Sequence, residues 1–415
     1  MVKSKNKYNW EHGALLEDHS KQKLKILRNY FYQYLDTRCK FPQQEVFRLS
    51  IVDGFAGGGK YKCGSPGSPI IFIEELLKFS NQINIFRKTN KFKPLHIECL
   101  LLLNDLDPAA INLLKENISP YIQEIKANRY LIIHFQYTEG KFKSNYPTIR
   151  EKIENSNCCN NVLFNLDQFG QTDADINTIR TILRSFPRTE IFYTFAIQAF
   201  LTYANEKSII PYKQILNENN ISTNDALDPG YLITRQEELG VYERMVFDAF
   251  SSCSTFVSPF SINNPTGWRY WLLHFSNVYR AREIYNNILH ETSSSQAHFG
   301  RSGLNMLSYN STEQDSFLYK FDMAASEQTK QQLLIDIPQF VSNYGDTIPM
   351  LDFFNDIYNQ TPASSNIIKQ SLIDIPDIKI IKEDGGVRRS AKSINTKSDT
   401  IKLKDQKSFF SFFIK

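Results

Sequence analysis

The chain has 415 residues, 41% of them hydrophobic and 22% charged, a globular balance that excludes a wholly disordered polymer. At roughly 100–200 residues per domain, that length predicts two or three domains. The formal net charge is +4, from 48 Lys and Arg against 44 Asp and Glu, too weak a field to mark a nucleic-acid or membrane partner by itself.

The placement of charge says more than its sum. Residues 382–407 hold eight Lys or Arg against four Asp or Glu, so the basic excess lies toward the C-terminal end. No apolar run reaches the roughly 18 residues of a membrane span. The opening MVKSKNKYNWEHG has no apolar core of a secretory signal, so a cytoplasmic protein is predicted. The six cysteines (Cys39, Cys63, Cys99, Cys158, Cys159, Cys253) form no CxxC pair, which argues against zinc, iron–sulfur and disulfide frameworks and for buried thiols; no metal site is predicted.

In chain order, residues 21–35 put Leu24, Leu27, Phe31 and Leu35 on one helical face. A strand, VFRLSIVD, then runs into GFAGGGK. Residues 70–79 read as a helix and HIECLLLLND (96–105) as a strand buried on both faces. DPAAINLLKENI follows as a helix with Asp107 at its N-cap and Pro108 at N1. YLIIHFQ, NVLFNLD and EIFYTFAI read as the third, fourth and fifth strands, with YPTIREKIEN and ADINTIRTILRSF as the helices between them. FVSPFSI and WRYWLLHFS predict an antiparallel hairpin, and YRAREIYNNILHE a further helix.

Alternating strands and helices closed by a late hairpin predict a mostly parallel α/β sheet in the order of class I S-adenosylmethionine methyltransferases, a Rossmann-like fold. Five parts are expected. They are an N-terminal helical segment (1–45), an α/β domain (46–291) with a helical insertion at about 198–255, and a loop-rich linker (292–324). A winged-helix-like domain (325–404) and a Phe-rich tail (405–415) follow. The fourth part is read from helices near 326–342, 349–359 and 363–374 followed by two extended runs, IKII and DTIKL.

Three turns carry the candidate chemistry. Asp53-Gly54-Phe55-Ala56-Gly57-Gly58-Gly59 ends the first strand, where glycines let the backbone approach a ligand closely. The bunched spacing is not GxGxxG, and it suits an adenosyl-methionine pocket better than a pyrophosphate cradle. A tight turn with no ligand is the alternative. Asp105, ending the second strand, is the candidate for ribose hydroxyls, while Asp107 is read as a helix cap. Asp167 and Phe169, ending the fourth strand, are candidates to accept from a base amine and to stack on the base. A strand-end carboxylate beside a core Phe would look the same.

Taken together, these stretches resemble the three-Cys-motif partner (TcmP) family. The match rests on His19-Ser20-Lys21-Gln22-Lys23 and the helix after it, on Val52 through Tyr61, and on Gly64-Ser65-Pro66-Gly67-Ser68-Pro69. It extends to the Asp167-Gln168-Phe169-Gly170 turn, the Tyr270-to-Ile288 stretch and the C-terminal end. The resemblance implies a methyltransferase-like fold and a radical-SAM-like three-cysteine partner. It also places His19 in the family's HTxxK-like segment, as a general base or base contact, or else as a helix-start histidine bonded to backbone. Gln168 stands where the family has a proline, which predicts a looser turn, and Gly58 stands where it has another.

Two C-terminal features complete the reading. Arg388, Arg389, Lys392 and Lys397 are candidates for phosphate contacts, or a solvated basic hairpin. Gln406-Lys407-Ser408-Phe409-Phe410-Ser411-Phe412-Phe413 has a spacing similar to a sliding-clamp-binding box, or is a tail that buries its aromatics on its own domain. The expected function is a SAM-dependent methyltransferase acting on a nucleic-acid base amine. The alternative is a catalytically silent DNA- and partner-binding module in phage defence or DNA repair.

Overall fold

Five parallel strands form the heart of the protein: β1 (Val46–Asp53), β2 (His96–Asp105), β3 (Leu131–Glu139), β4 (Val162–Leu166) and β5 (Thr189–Phe195). β6 (Phe256–Asn263) and β7 (Arg269–Ser276) pair antiparallel, and β7 joins the sheet antiparallel to β5. The spatial order of these seven is β3-β2-β1-β4-β5-β7-β6. This computed structural model describes residues 10, 13–168, 173–186, 188–221, 235–263, 269–292, 296–298, 302–304 and 319–404. Phe169, Gly170 and the whole 405–415 tail lie outside the described residues.

The central strands are apolar on both faces, and every residue of β4 and β5 is buried. That is the pattern of a parallel sheet covered by helices on each side. The covering helices are α1 (Asp18–Cys39), α2 (Ser68–Thr89), α3 (Pro108–Ala127), α4 (Phe142–Glu154) and α5 (Ile176–Ser185). The predicted insertion is helical: α6 (Ile197–Thr202), α7 (Glu206–Glu218) and α8 (Arg235–Ser251). α9 (Tyr279–Glu291) follows the hairpin. The sheet is therefore a mixed, mostly parallel, Rossmann-like α/β sheet, as expected.

Two helices are longer than periodicity predicts. α2 continues ten residues past Phe79 through a polar stretch, because its polar side chains are used in tertiary hydrogen bonds. Asn84 is buried and brackets Leu95, donating to its carbonyl at 2.9 Å and accepting from its N–H at 2.7 Å. Arg87, 2% exposed, donates to the carbonyls of Cys39, Phe41, Gln44 and Lys93. α4 starts a turn before Tyr146-Pro147, because Phe142 is fully buried against Gly54. A Cβ on Gly54 would lie 2.9 Å from that ring, so the glycine makes room for the helix start.

The chain divides into two units, Met1–Ile288 and Leu289–Lys415. α1 belongs to the first and packs on α2. The second holds helices Met323–Asn343, Met350–Ile357 and Ser365–Asp374. Its three short strands pair antiparallel, with Thr400–Leu403 between Ile378–Ile381 and Thr347–Pro349. The strand Thr347–Pro349 is not foreseen in the sequence, being three residues with a single buried position. Leu333, Ile337, Phe353, Ile368, Leu372 and Ile401 build this unit's core. Among the described residues, no helix is long and apolar enough to cross a membrane.

Candidate functional site

The strand order reverses between β1 and β4, and the carboxyl ends of these strands meet there. In open α/β sheets a crevice at such a point is the usual ligand site. Asp53 closes β1 and is fully buried. Its Oδ1 accepts from the Phe55 N–H at 3.3 Å, and its Oδ2 accepts from Asn165 Nδ2 at 3.3 Å, across the switch. Burial pushes the Asp53 carboxyl up to about 7, against the hydrogen bonds from Ser68, Asn165 and Phe55.

The loop after β1 is held by β2. Gly57 N–H donates to Asp105 Oδ2 at 2.8 Å, and the other Asp105 oxygen accepts from Asp107 N–H at 2.9 Å. Burial raises the Asp105 carboxyl, with these backbone donors opposing. Asp107 accepts from Ala109 N–H at 2.9 Å and caps α3, as expected. Gly57 (φ 58°) and Gly59 (φ 79°) take left-handed backbone conformations that favour glycine. Ala56 donates its N–H to the Asn104 carbonyl at 2.9 Å.

Asn104 organises the loops around it, a role not announced by the sequence. Its Nδ2 donates to the carbonyls of Gly54 (3.0 Å) and Gly140 (3.1 Å). Its Oδ1 accepts from Thr138 Oγ1 (2.9 Å) and Asn145 Nδ2 (2.8 Å). One buried carboxamide thus ties together the loops after β1 and β3. The only signal was a polar residue ending an apolar strand.

The start of α1 closes the crevice from above. Lys23 Nζ forms an ion pair with Asp167 Oδ1. Burial works against the Asp167 carboxylate, but the charge and hydrogen bond of Lys23 outweigh it and hold the pKa below the usual value. One helical turn earlier, His19 is buried and stacks on Tyr270, with ring centroids 4.7 Å apart and planes 5° from parallel. Its Nδ1 lies 3.2 Å from Glu17 Oε2, without hydrogen-bond alignment. Burial, then the charge of Lys23, lowers the His19 pKa and favours the neutral ring. The structure therefore brings Asp53, Asp167 and His19 to one end of the sheet, with Lys23 and Tyr270 as members unforeseen in the sequence.

Gln168, at the position where the resemblance implies a proline, is buried and hydrogen-bonded through its side chain. Its Nε2 donates to Tyr193 Oη at 2.8 Å and to the Ala174 carbonyl at 3.3 Å, and its Oε1 accepts from Ala174 N–H at 3.0 Å. The side chain thus ties the end of β4 to Ala174 and to Tyr193 of β5.

The space in front of the glycines is taken. A Cβ on Gly57 would collide with Cζ2 of Trp10, and one on Gly58 would lie 2.7 Å from Cε3 of the same indole. The crevice lined by Lys23, Ser68, Asn165, Asp167 and Thr194 measures about 20 Å³. That is room for about one water, where an adenosyl ligand needs a few hundred Å³. The donor set suits such a cofactor, but in this conformation the space does not.

Arg388 is also placed differently from expectation. Its guanidinium binds the buried Asp399 through two hydrogen bonds, of 2.9 and 3.0 Å, so it holds the hairpin together. Arg389, Lys392 and Lys397 are exposed.

No family model matches the chain, and no curated protein matches it. Among solved structures, the chain aligns with a "putative O-methyltransferase" from Klebsiella pneumoniae at 12% identity and a TM-score of 0.26, covering 64% of this chain and 92% of that one. It also aligns with the human methyltransferase 10 domain containing protein at 8% identity and a TM-score of 0.23, covering 60% and 82%. These superpositions are loose. The assignment of the fold rests on strand order and direction.

Proposed function

We propose that this protein is a class I methyltransferase-like enzyme whose crevice takes S-adenosylmethionine once the Trp10 indole is displaced, and that it acts on a base amine of nucleic acid. The observation that carries the reading is the pairing of Gly57 N–H with Asp105 beside buried Asp53, at the switch point of a β3-β2-β1-β4-β5-β7-β6 sheet. Bound, the cofactor would supply an activated methyl group. Asp53, Gly54, Phe55, Ala56, Gly57, Gly59 and Asp105 would hold it. Asp167 would accept from the amine when freed from Lys23, with His19, neutral and stacked, as base contact.

A second reading has its own support. The Lys23–Asp167 pair and the indole on the glycines suit a methyltransferase-like scaffold that docks nucleic acid or a three-cysteine, radical-SAM-like partner without turnover. The second unit supports nucleic-acid docking. Three helices with a three-stranded antiparallel sheet is the layout of a winged helix, and its hairpin exposes Arg389, Lys392 and Lys397. Contact of the Gln406–Phe413 tail with a sliding clamp is a further proposal on residues outside those described.

The test is calorimetry with S-adenosylmethionine on wild type and Trp10→Ala, followed by transfer of labelled methyl to total nucleic acid with and without Asp167→Ala. Binding strengthened by Trp10→Ala, with transfer lost in Asp167→Ala, supports the enzyme. Binding without transfer supports the scaffold. No heat from either protein removes the cofactor.

A further inference from the structure

At the opposite end of the strands, outside the amino ends of β1, β4 and β5, lies an open cleft of about 510 Å³. This is within the size range of small-molecule sites. It is lined by Gln44, Val46 and Arg48 from the start of β1, by Asn157, Asn160 and Asn161 from the turn into β4, and by Arg188 just before β5. No carboxylate is among the lining residues. Arg48 meets Glu98 through Nε at 2.8 Å, and among the described residues its two Nη groups have no partner. Arg188 is exposed, and among the described residues its side chain has no partner; the same holds for Asn157 and Asn160. Asn161 donates Nδ2 to the Arg48 carbonyl at 2.8 Å and fixes the floor.

We propose that this cleft binds a phosphate-bearing nucleotide unit. Two guanidinium groups with free N–H edges match phosphate oxygens in planar, forked geometry. Carboxamides present a donor and an acceptor side by side, which matches the edge of a heterocyclic base. Half-exposed Val46, at 42%, adds an apolar strip beside them. The site is separate from the crevice at the carboxyl ends of the strands and does not depend on what that crevice binds.

The test is calorimetric titration of the full chain with AMP, inorganic phosphate, adenosine and a 5′-phosphorylated oligothymidine. AMP or the oligonucleotide is expected to bind, with affinity reduced roughly tenfold or more by Arg188→Glu, the loss expected for one charge-assisted contact. Asn160→Ala should weaken the nucleotide while sparing inorganic phosphate. Binding by AMP identifies a free nucleotide as sufficient, and binding by the oligonucleotide alone identifies a strand end. Adenosine binding as tightly as AMP, or AMP binding untouched by both substitutions in proteins with wild-type circular dichroism, would overturn the assignment. So would the absence of heat from every phosphate-bearing ligand.

Discussion

Lys23 in the second turn of α1 and Asp167 at the end of β4, 144 residues apart, form an ion pair over the crevice between β1 and β4. The lysine is 10% exposed and the carboxylate 30%, so the pair is partly shielded from water. Lys23→Met should leave Asp167 without its cation and cost about 1–2 kcal/mol, less than a fully buried pair because of that residual exposure. Lys23→Met with Asp167→Asn should recover part of the loss. Denaturant unfolding of the four proteins measures the coupling, and strictly additive single costs would show that the pair contributes nothing.

Gly57 has two independent reasons to be glycine: its positive φ and the indole of Trp10 against it. Gly57→Ala should cost about 2–3 kcal/mol in the wild type. In a Trp10→Ala background the steric part disappears, and the cost should fall to about 1 kcal/mol, the backbone part alone. Equal costs in both backgrounds would place the ring elsewhere in solution.

Asp53 gives a stability slope with a defined sign. Its folded pKa of about 7 lies above the ordinary 3.8 of an aspartate, so the folded protein holds a proton that the unfolded chain releases. Stability from this group is full below about pH 4 and is lost as pH rises through 7. The upper bound on that loss is roughly 4 kcal/mol. Asp53→Asn should flatten the slope between those limits. An unchanged stability–pH curve from urea melts would contradict the burial of this carboxyl.

Gln168→Ala removes three buried hydrogen bonds and strands Tyr193 Oη with one remaining partner, the Ala174 carbonyl at 2.8 Å. The expected cost is about 2–3 kcal/mol. Gln168→Pro should not rescue it, because proline restricts the backbone but leaves Ala174 N–H unpaired. Thermal melts of both variants decide the point.

The two neighbouring arginines should separate by property. Arg388→Glu places a carboxylate beside buried Asp399 and should lower the melting temperature of the second unit. Arg389→Glu should leave the melt unchanged and weaken retention on DNA at low salt. Reversal of that pattern in melts and filter binding would exchange their roles.

Much of the sheet was legible because periodicity and apolar runs report burial directly. β2 begins and ends where HIECLLLLND does, and Asp107-Pro108 marked the start of α3. What escaped was tertiary. Nothing local in SNQINIFRKT predicts that Asn84 and Arg87 are spent on distant carbonyls, so α2 looked ten residues shorter. In the site, Asp53, Asp105 and the glycines were readable as strand-end residues. Lys23, Tyr270, Asn104 and Trp10 were not, because their roles come from chain segments brought together only by folding.

Arg87 has one more implication. A single guanidinium gathers the carbonyls at the end of α1, in the turn into β1 and in the approach to β2. These three connections are thereby riveted at one point, which adds a tie on α1 beyond the continuity of the polypeptide between 40 and 45. A circularly permuted chain opened there should assemble with α1 still seated, whereas one carrying Arg87→Met should not.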